Sequence, residues 1–163
     1  MDTDIGTWAA GLNGNEILRF TQRNVGQSQL IDLKNGKALG AGRFAGQELT
    51  WRATLDWDQN PYRLGFGFNF QSPYFQSITT FPFTLAGPNR PANSQKIGAL
   101  FTVDMTASYT IPSGWYEGLT GSQVSLSISN LLDTDPPFQD NANGFGPGSQ
   151  LGRLATLSIK KSF

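Results

Sequence analysis

The side chains best suited to chemistry in this chain are carboxylates, guanidinium groups and aromatic rings, because the sequence contains no histidine and no cysteine. That excludes thiol nucleophiles, disulfides and zinc sites of the usual Cys/His type. A general base would have to be a carboxylate, a lysine or a tyrosine, and nothing in the sequence assembles these into a catalytic constellation. We therefore expect no catalytic residue, no metal site and no cofactor, and a protein that is not an enzyme. One acidic cluster, Asp133, Asp135 and Asp140, invites a calcium reading. Counted from Asp133, an EF-hand loop needs glycine at its sixth position, where Phe138 stands. A turn rich in Asp and Pro is the better explanation.

Two further groups remain. Between Pro73 and Gly98 lie Tyr74, Phe75, Phe81 and Phe83 with Arg90 and Lys96. As a loop on a rigid scaffold they could contact a ligand, or equally pack the loop onto itself or its neighbours. Arg52, Asp56, Arg63 and Asp104 fall on the polar sides of alternating segments. They could touch another part of the protein or pair across strands, Asp56 with Arg63 foremost. Solvated charges explain them at least as well, since exposed pairs contribute only about 0 to 1 kcal/mol.

Twelve basic residues balance twelve acidic ones, so the concentrated basic face of a nucleic-acid binder is missing and no such partner is expected. With 38% hydrophobic and 15% charged residues, the chain is neither disordered nor a charge-rich helical protein. The opening stretch MDTDIGTWAAGLNG has neither the basic start nor the apolar run of a signal peptide. Nor is there a run of about 18 apolar residues to make a membrane helix. If the chain spans a membrane it must use strands, and the missing signal leads us to expect a segment of a longer protein.

The elements that must position these groups read as strands, because apolar and polar residues alternate with period two. In Tyr62 to Gln71, Tyr62, Leu64, Phe66, Phe68 and Phe70 oppose Arg63, Gly65, Gly67, Asn69 and Gln71. In Leu49 to Asp58, Leu49, Trp51, Ala53, Leu55 and Trp57 oppose Thr50, Arg52, Thr54, Asp56 and Asp58. In Phe101 to Ile111, Phe101, Val103, Met105, Ala107, Tyr109 and Ile111 oppose four Thr and Ser residues and Asp104. Val124, Leu126 and Ile128 oppose Ser125, Ser127 and Ser129, and Ala155, Leu157 and Ile159 oppose Thr156, Ser158 and Lys160. Weaker strands are expected over Ile5 to Ala10 and Asn15 to Arg23, for about seven in all.

Leu12-Asn13-Gly14 and Gln59-Asn60-Pro61 have the composition of tight turns, and Ile111 to Gly121 that of a moderate one. Asn24 to Ala45, Pro73 to Gly98 and Asp133 to Gln150 are long connections. Short and long connections thus alternate, as in an up-and-down barrel with short turns at one rim and long loops at the other. That topology gathers Trp57, Tyr62, Trp115, Tyr116 and Phe163 at the short-turn rim, where ring systems suit a membrane interface. The expected fold is all-β, an antiparallel up-and-down transmembrane β-barrel. About seven strands cannot close alone, so the barrel would be incomplete in this chain. A soluble antiparallel sandwich is the competing fold, since it too alternates apolar and polar residues.

The last forty residues carry a resemblance. VSLSISNLLDTDPPF (Val124 to Phe138) followed by LGRLATLSIKKSF (Leu151 to Phe163) resembles the end of TonB-dependent outer-membrane receptors. Asn130-Leu131-Leu132-Asp133, Pro136-Pro137, Gly152-Arg153 and terminal Phe163 occur in the order seen in that family. Thr102 to Gly114 and Tyr62 to Phe75 resemble its preceding strands, so the likeness covers roughly Leu49 to Phe163. Phe163, Ile159, Leu157 and Ala155 resemble the terminal signal read by the barrel-assembly machinery. Lys161 departs from that pattern, standing where an apolar residue is expected, although a lysine near a strand end can snorkel.

The resemblance implies a barrel of about 22 strands with a plugged lumen, of which residues 1–163 would form the C-terminal part without the plug. It also implies uptake of scarce nutrients (iron chelates, cobalamin or glycans) through the outer membrane of a Gram-negative cell, energised by the TonB complex. The expected partners are the lipid bilayer, the barrel-assembly machinery, the rest of the barrel with its plug, and a small-molecule substrate. A small self-contained outer-membrane barrel or adhesin, or a soluble glycan-binding β-sandwich, are the alternative functions.

Overall fold

The computed structural model of the chain describes residues 2–3, 5–23, 31–32, 34, 47–77, 94–114, 117–138 and 151–161. Its elements are strands: β1 (Asp2–Thr3), β2 (Gly6–Glu16), β3 (Thr21–Gln22), β4 (Ile31–Asp32), β5 (Leu49–Gln59), β6 (Tyr62–Gln71), β7 (Tyr74–Ser77), β8 (Ser94–Ile97), β9 (Leu100–Thr110), β10 (Gln123–Ser129) and β11 (Leu154–Lys160). One short 3-10 turn, Glu117–Leu119, precedes β10. The main sheet is antiparallel, in the order β1-β2-β5-β6-β9-β10-β11, so each strand lies beside the next one to join the sheet. Two further two-stranded ribbons are β3–β4 and β7–β8.

The five strands read from alternation are all present as β5, β6, β9, β10 and β11. The N-terminal part differs. Leu12-Asn13-Gly14 is not a turn, and the two weak strands expected around it are one continuous strand, β2, ending at Glu16. A two-residue Asn-Gly turn of type I′ needs positive φ at both positions, and neither Asn13 nor Gly14 has it. Instead β2 is laddered to β5 from Thr7–Asp58 through Glu16–Leu49. That ladder pairs ten successive residues of β2 with β5, which a local turn preference cannot match. Beyond Glu16 the expected strand does not continue. Thr21–Gln22 pairs only with Ile31–Asp32.

The first short reversal lies earlier, between Thr3 and Gly6, where β1 folds back on β2 with Thr3 opposite Gly6. Gly6 has φ 116°, a conformation open to glycine and strained for other residues. The next short turn is Asn60-Pro61, with Gln59 opposite Tyr62 and the peptide between them cis. The alternation of short and long connections therefore persists with its first turn displaced.

Pro73 to Gly98 is also not a loop throughout. Gln71 pairs with Leu100 and Tyr74 with Ile97, the same register sum of 171, so the β6–β9 hairpin continues into the β7–β8 ribbon. Pro73, which has no N–H to give a ladder, falls at the break between the two. Tyr74, Ile97, Leu100 and Val103 are buried around this junction.

The registers place most of the strands' apolar residues on one face, with Leu100, opposite Gln71, and Leu154, opposite Ser129, on the other. Trp8, Trp57, Leu64, Ala107, Leu126 and Leu157 are successive partners across six strands. One residue along, Ala9, Asp56, Gly65, Thr106, Ser127 and Thr156 form the corresponding row of the polar face. Among the described residues no second sheet covers the apolar face. Leu12, Leu157 and Ile159 are 79%, 68% and 71% exposed. The outer edges of β11 and of β2 beyond Trp8 likewise have no partner strand among the described residues.

Candidate functional site

The polar face is organised by glycines on β6. A Cβ on Gly67 would stand 2.6 Å from the Arg52 Nη2, and one on Gly65 would stand 2.7 Å from Asp56 Oδ1 and 2.8 Å from Thr106 Oγ1. Side chains from β5 and β9 therefore lie across the bare backbone of β6. Lying over Gly67, the Arg52 guanidinium reaches both neighbours: Nη1 donates to Asn69 Oδ1 at 2.5 Å and to Asp104 Oδ2 at 3.3 Å. Asn69 Nδ2 donates to the same Asp104 oxygen at 2.9 Å and to Thr102 Oγ1 at 3.3 Å. The other carboxylate oxygen of Asp104, Oδ1, accepts the main-chain N–H of Asn130 at 3.1 Å.

The pairing of Asp56 with Arg63, one of the two possibilities open to these charges, does not form. Arg63 Nε bonds Asp58 Oδ2 at 2.7 Å, because the β5–β6 register sets Asp58 directly opposite Arg63 and Asp56 opposite Gly65. Directly opposed residues lie about 5 Å apart at Cβ, whereas diagonal ones lie about 7 to 8 Å apart. A hollow of about 560 Å³ runs over this part of the polar face, lined by Asp56, Asp58, Arg63, Thr106, Ser125 and Ser127 among others.

At the end of the sheet that carries the long connections, the motif residues of the C-terminal stretch come together. Asn130 (φ 53°) and Asp133 (φ 57°) take left-handed conformations, and Asp133 N–H donates to the Asn130 carbonyl at 2.9 Å. Asn and Asp tolerate this region better than other non-glycine residues. Asn130 closes a ring with Thr134: its Nδ2 donates to the Thr134 carbonyl at 2.9 Å and its Oδ1 accepts Thr134 N–H at 3.0 Å. Leu131 N–H donates to the Val103 carbonyl, tying the turn to β9. Asp133 Oδ1 accepts Arg153 N–H at 2.7 Å, and Arg153 lies with Nη2 3.6 Å from Asp133 Oδ2 and Nη1 3.5 Å from the Leu131 carbonyl. Gly152 has φ 64° and its Cβ would stand 2.8 Å from Asp133 Oδ1. Asn130, Leu131, Asp133, Gly152 and Arg153 thus form one latch. Pro136 is half-buried and takes no part in these hydrogen bonds, while its neighbour Pro137 lies near Gly98.

The Asp133 carboxylate is committed to this latch, which accords with the turn reading of the acidic cluster. Asp140 lies outside the described residues, and among those no group of acidic side chains is arranged to hold a metal ion. Of the candidate ligand loop, Tyr74 is buried at the base of the β7–β8 ribbon and does not offer its ring for contact, whereas Phe75 is partly exposed opposite Lys96. Phe81, Phe83 and Arg90 lie outside the described residues.

On the apolar face, Trp57 and Tyr62 stand together at the short-turn end, as expected. Trp115, Tyr116 and Phe163 lie outside the described residues. The register adds Trp8, whose ring centroid is 6.2 Å from that of Trp57, and Tyr109, 5.1 Å from Tyr62. Trp57 Nε1 donates to the Ile5 carbonyl at 2.8 Å. A second aromatic group, Trp51 with Phe70 at 5.5 Å and Phe101 at 6.3 Å, marks the other end of the same face. Ala155, Leu157 and Ile159 lie on this face opposite Ile128, Leu126 and Val124. Lys161, just beyond β11, donates from Nζ to the Gly118 carbonyl in the β9–β10 connection.

Sequence reasoning missed Gly65, Gly67 and Asn69 as organisers of the polar face. Their signal was available, since glycine inside a strand often marks a close approach of other groups to its backbone.

The fold and site define an all-β chain whose antiparallel sheet has one polar and one apolar face. Comparison with protein-family models, curated proteins and solved structures finds no match. No helix among the described residues is long and apolar enough to cross a membrane, which says nothing of a span built from strands.

Proposed function

We propose that the chain forms part of the wall of a Gram-negative outer-membrane β-barrel of the TonB-dependent receptor kind, and serves nutrient uptake only within a complete, plugged barrel. The observation that carries this reading is an apolar face that no second sheet covers among the described residues, bounded by aromatics at both ends: Trp8, Trp57, Tyr62 and Tyr109 at one, Trp51, Phe70 and Phe101 at the other. Barrel walls carry such a band between two aromatic girdles, with the polar face toward the lumen. β2, β5 and β9 run 11 residues and β6 runs 10, close to the roughly 9 to 11 that a tilted strand needs to cross a bilayer. An apolar face of this extent facing water would be an aggregation hazard. Among the described residues, β11 and, beyond Trp8, β2 have no partner strand on their outer edges, which suits a sheet continued by further strands, because open edges are not tolerated in lipid. The C-terminal resemblance supplies the family and the transport role.

The absence of native cysteine makes the test clean. Single-cysteine variants Leu64→Cys and Leu126→Cys report the apolar face, and Arg63→Cys and Ser125→Cys the polar face. With the chain folded into phosphatidylcholine vesicles, an environment-sensitive label at the first pair is expected to be quenched by brominated lipid. A label at the second pair is expected to be quenched by aqueous iodide. A monodisperse, detergent-free chain with both faces open to iodide would overturn the reading and favour a soluble glycan-binding protein.

A further inference from the structure

We infer that Asp104 is a positioning residue that couples the polar face to the outer turn Asn130–Thr134. Its biological sense rests on the reading of the polar face as a lumen wall. Asp104 sits on β9 with its two oxygens serving different clients. Oδ2 takes Arg52 Nη1 from β5 and Asn69 Nδ2 from β6, whereas Oδ1 takes the main-chain N–H of Asn130 beyond β10. A single carboxylate thereby joins four successive strands' worth of chain.

The turn on the far side is tied to β9 by two main-chain amides, Asn130 N–H to Asp104 Oδ1 and Leu131 N–H to the Val103 carbonyl, and only the first of these bonds ends on a side chain. Asn130 is buried, in a left-handed conformation, and its side chain and carbonyl hold Thr134 and Asp133 in turn. Asp133 then receives Arg153 at the start of β11. Tilting the Asp104 carboxylate therefore shifts the amide that anchors the turn and, through it, the latch. On the near side the lever is accessible. The Arg52 side chain is 53% exposed and rests on Gly67, so a group arriving from the polar side can draw it away from Asp104. A contiguous hydrogen-bonded network of this sort is the kind of element that carries such coupling.

The test is amide hydrogen exchange on the full chain in detergent micelles, comparing the unmodified protein with Arg52→Gln, Arg52→Lys and Asp104→Asn. Arg52→Gln lies three strands from the turn, on β5 where the turn follows β10, and removes only the guanidinium. It is expected to speed exchange at Asn130 and Thr134 by about two- to thirtyfold, the range usual for coupling through such networks. The central amides of the β5–β6 ladder are expected to stay unchanged. Arg52→Lys is expected to restore most of the protection. In Asp104→Asn the turn is expected to lose protection, and adding Arg52→Gln to it is expected to change nothing further. Unchanged exchange at Asn130 and Thr134 in Arg52→Gln would overturn the coupling. So would equal acceleration across the whole sheet, which marks general loosening. Because exchange is read without a bilayer, failure of the coupling is distinct from failure of the membrane assignment.

Discussion

The carboxylate of Asp133 accepts the main-chain N–H of Arg153 at 2.7 Å and so closes the connection between β10 and β11 at its base. Gly152 makes the approach possible, because its φ of 64° and missing side chain leave room for Asp133 Oδ1. Gly152→Ala is expected to destabilise the folded chain by about 1 to 2 kcal/mol, the usual penalty for a left-handed L residue, with the contact at Asp133 added to it. Urea unfolding in detergent micelles, followed by tryptophan fluorescence, measures this. A Gly152→Ala variant as stable as the parent would refute the latch.

Gly67 plays the matching part on the polar face. Gly67→Ala displaces the Arg52 guanidinium and is expected to cost about 1 kcal/mol, the typical worth of the hydrogen bonds lost. In an Arg52→Met background the same substitution is expected to cost much less, because the group it displaces has gone. Additive losses in the double variant would show that Gly67 acts through the backbone alone.

The two faces should respond oppositely to charge. Leu126→Arg places a guanidinium on the apolar face and is expected to cost about 2 to 4 kcal/mol of folding into a bilayer if it lies near the midplane. Ser125→Arg, one residue away on the polar face, is expected to be close to neutral. Equilibrium folding into short-chain phosphatidylcholine vesicles separates the two. Equal costs would count against a lipid-facing apolar side.

The Asp58–Arg63 pair offers a calibration. Their side chains are 45% and 68% exposed, so solvent screens them. Arg63→Gln is expected to change stability by less than about 1 kcal/mol, with the difference shrinking as salt is raised. A larger, salt-independent loss would show that Arg63 holds something besides Asp58.

Period-two alternation was enough to place β5, β6, β9, β10 and β11 and to assign their faces, because side-chain direction in a strand is a local property of the backbone. Trp57 with Tyr62 at one end followed from the short Asn60-Pro61 turn between them. Partnership was another matter. That Arg63 meets Asp58 and not Asp56, or that Asn13-Gly14 stays extended because β5 lies beside it, depends on register, which a single strand does not contain. The motif at Asn130, Asp133, Gly152 and Arg153 could be read as a list of residue types, but not as a latch. Only the pairing of β10 with β11 and of β9 with β10 brings Arg153 to Asp133 and Asn130 to Asp104. Local chemistry thus decided which face each side chain occupies, and the sheet's long-range hydrogen bonding decided which side chains meet.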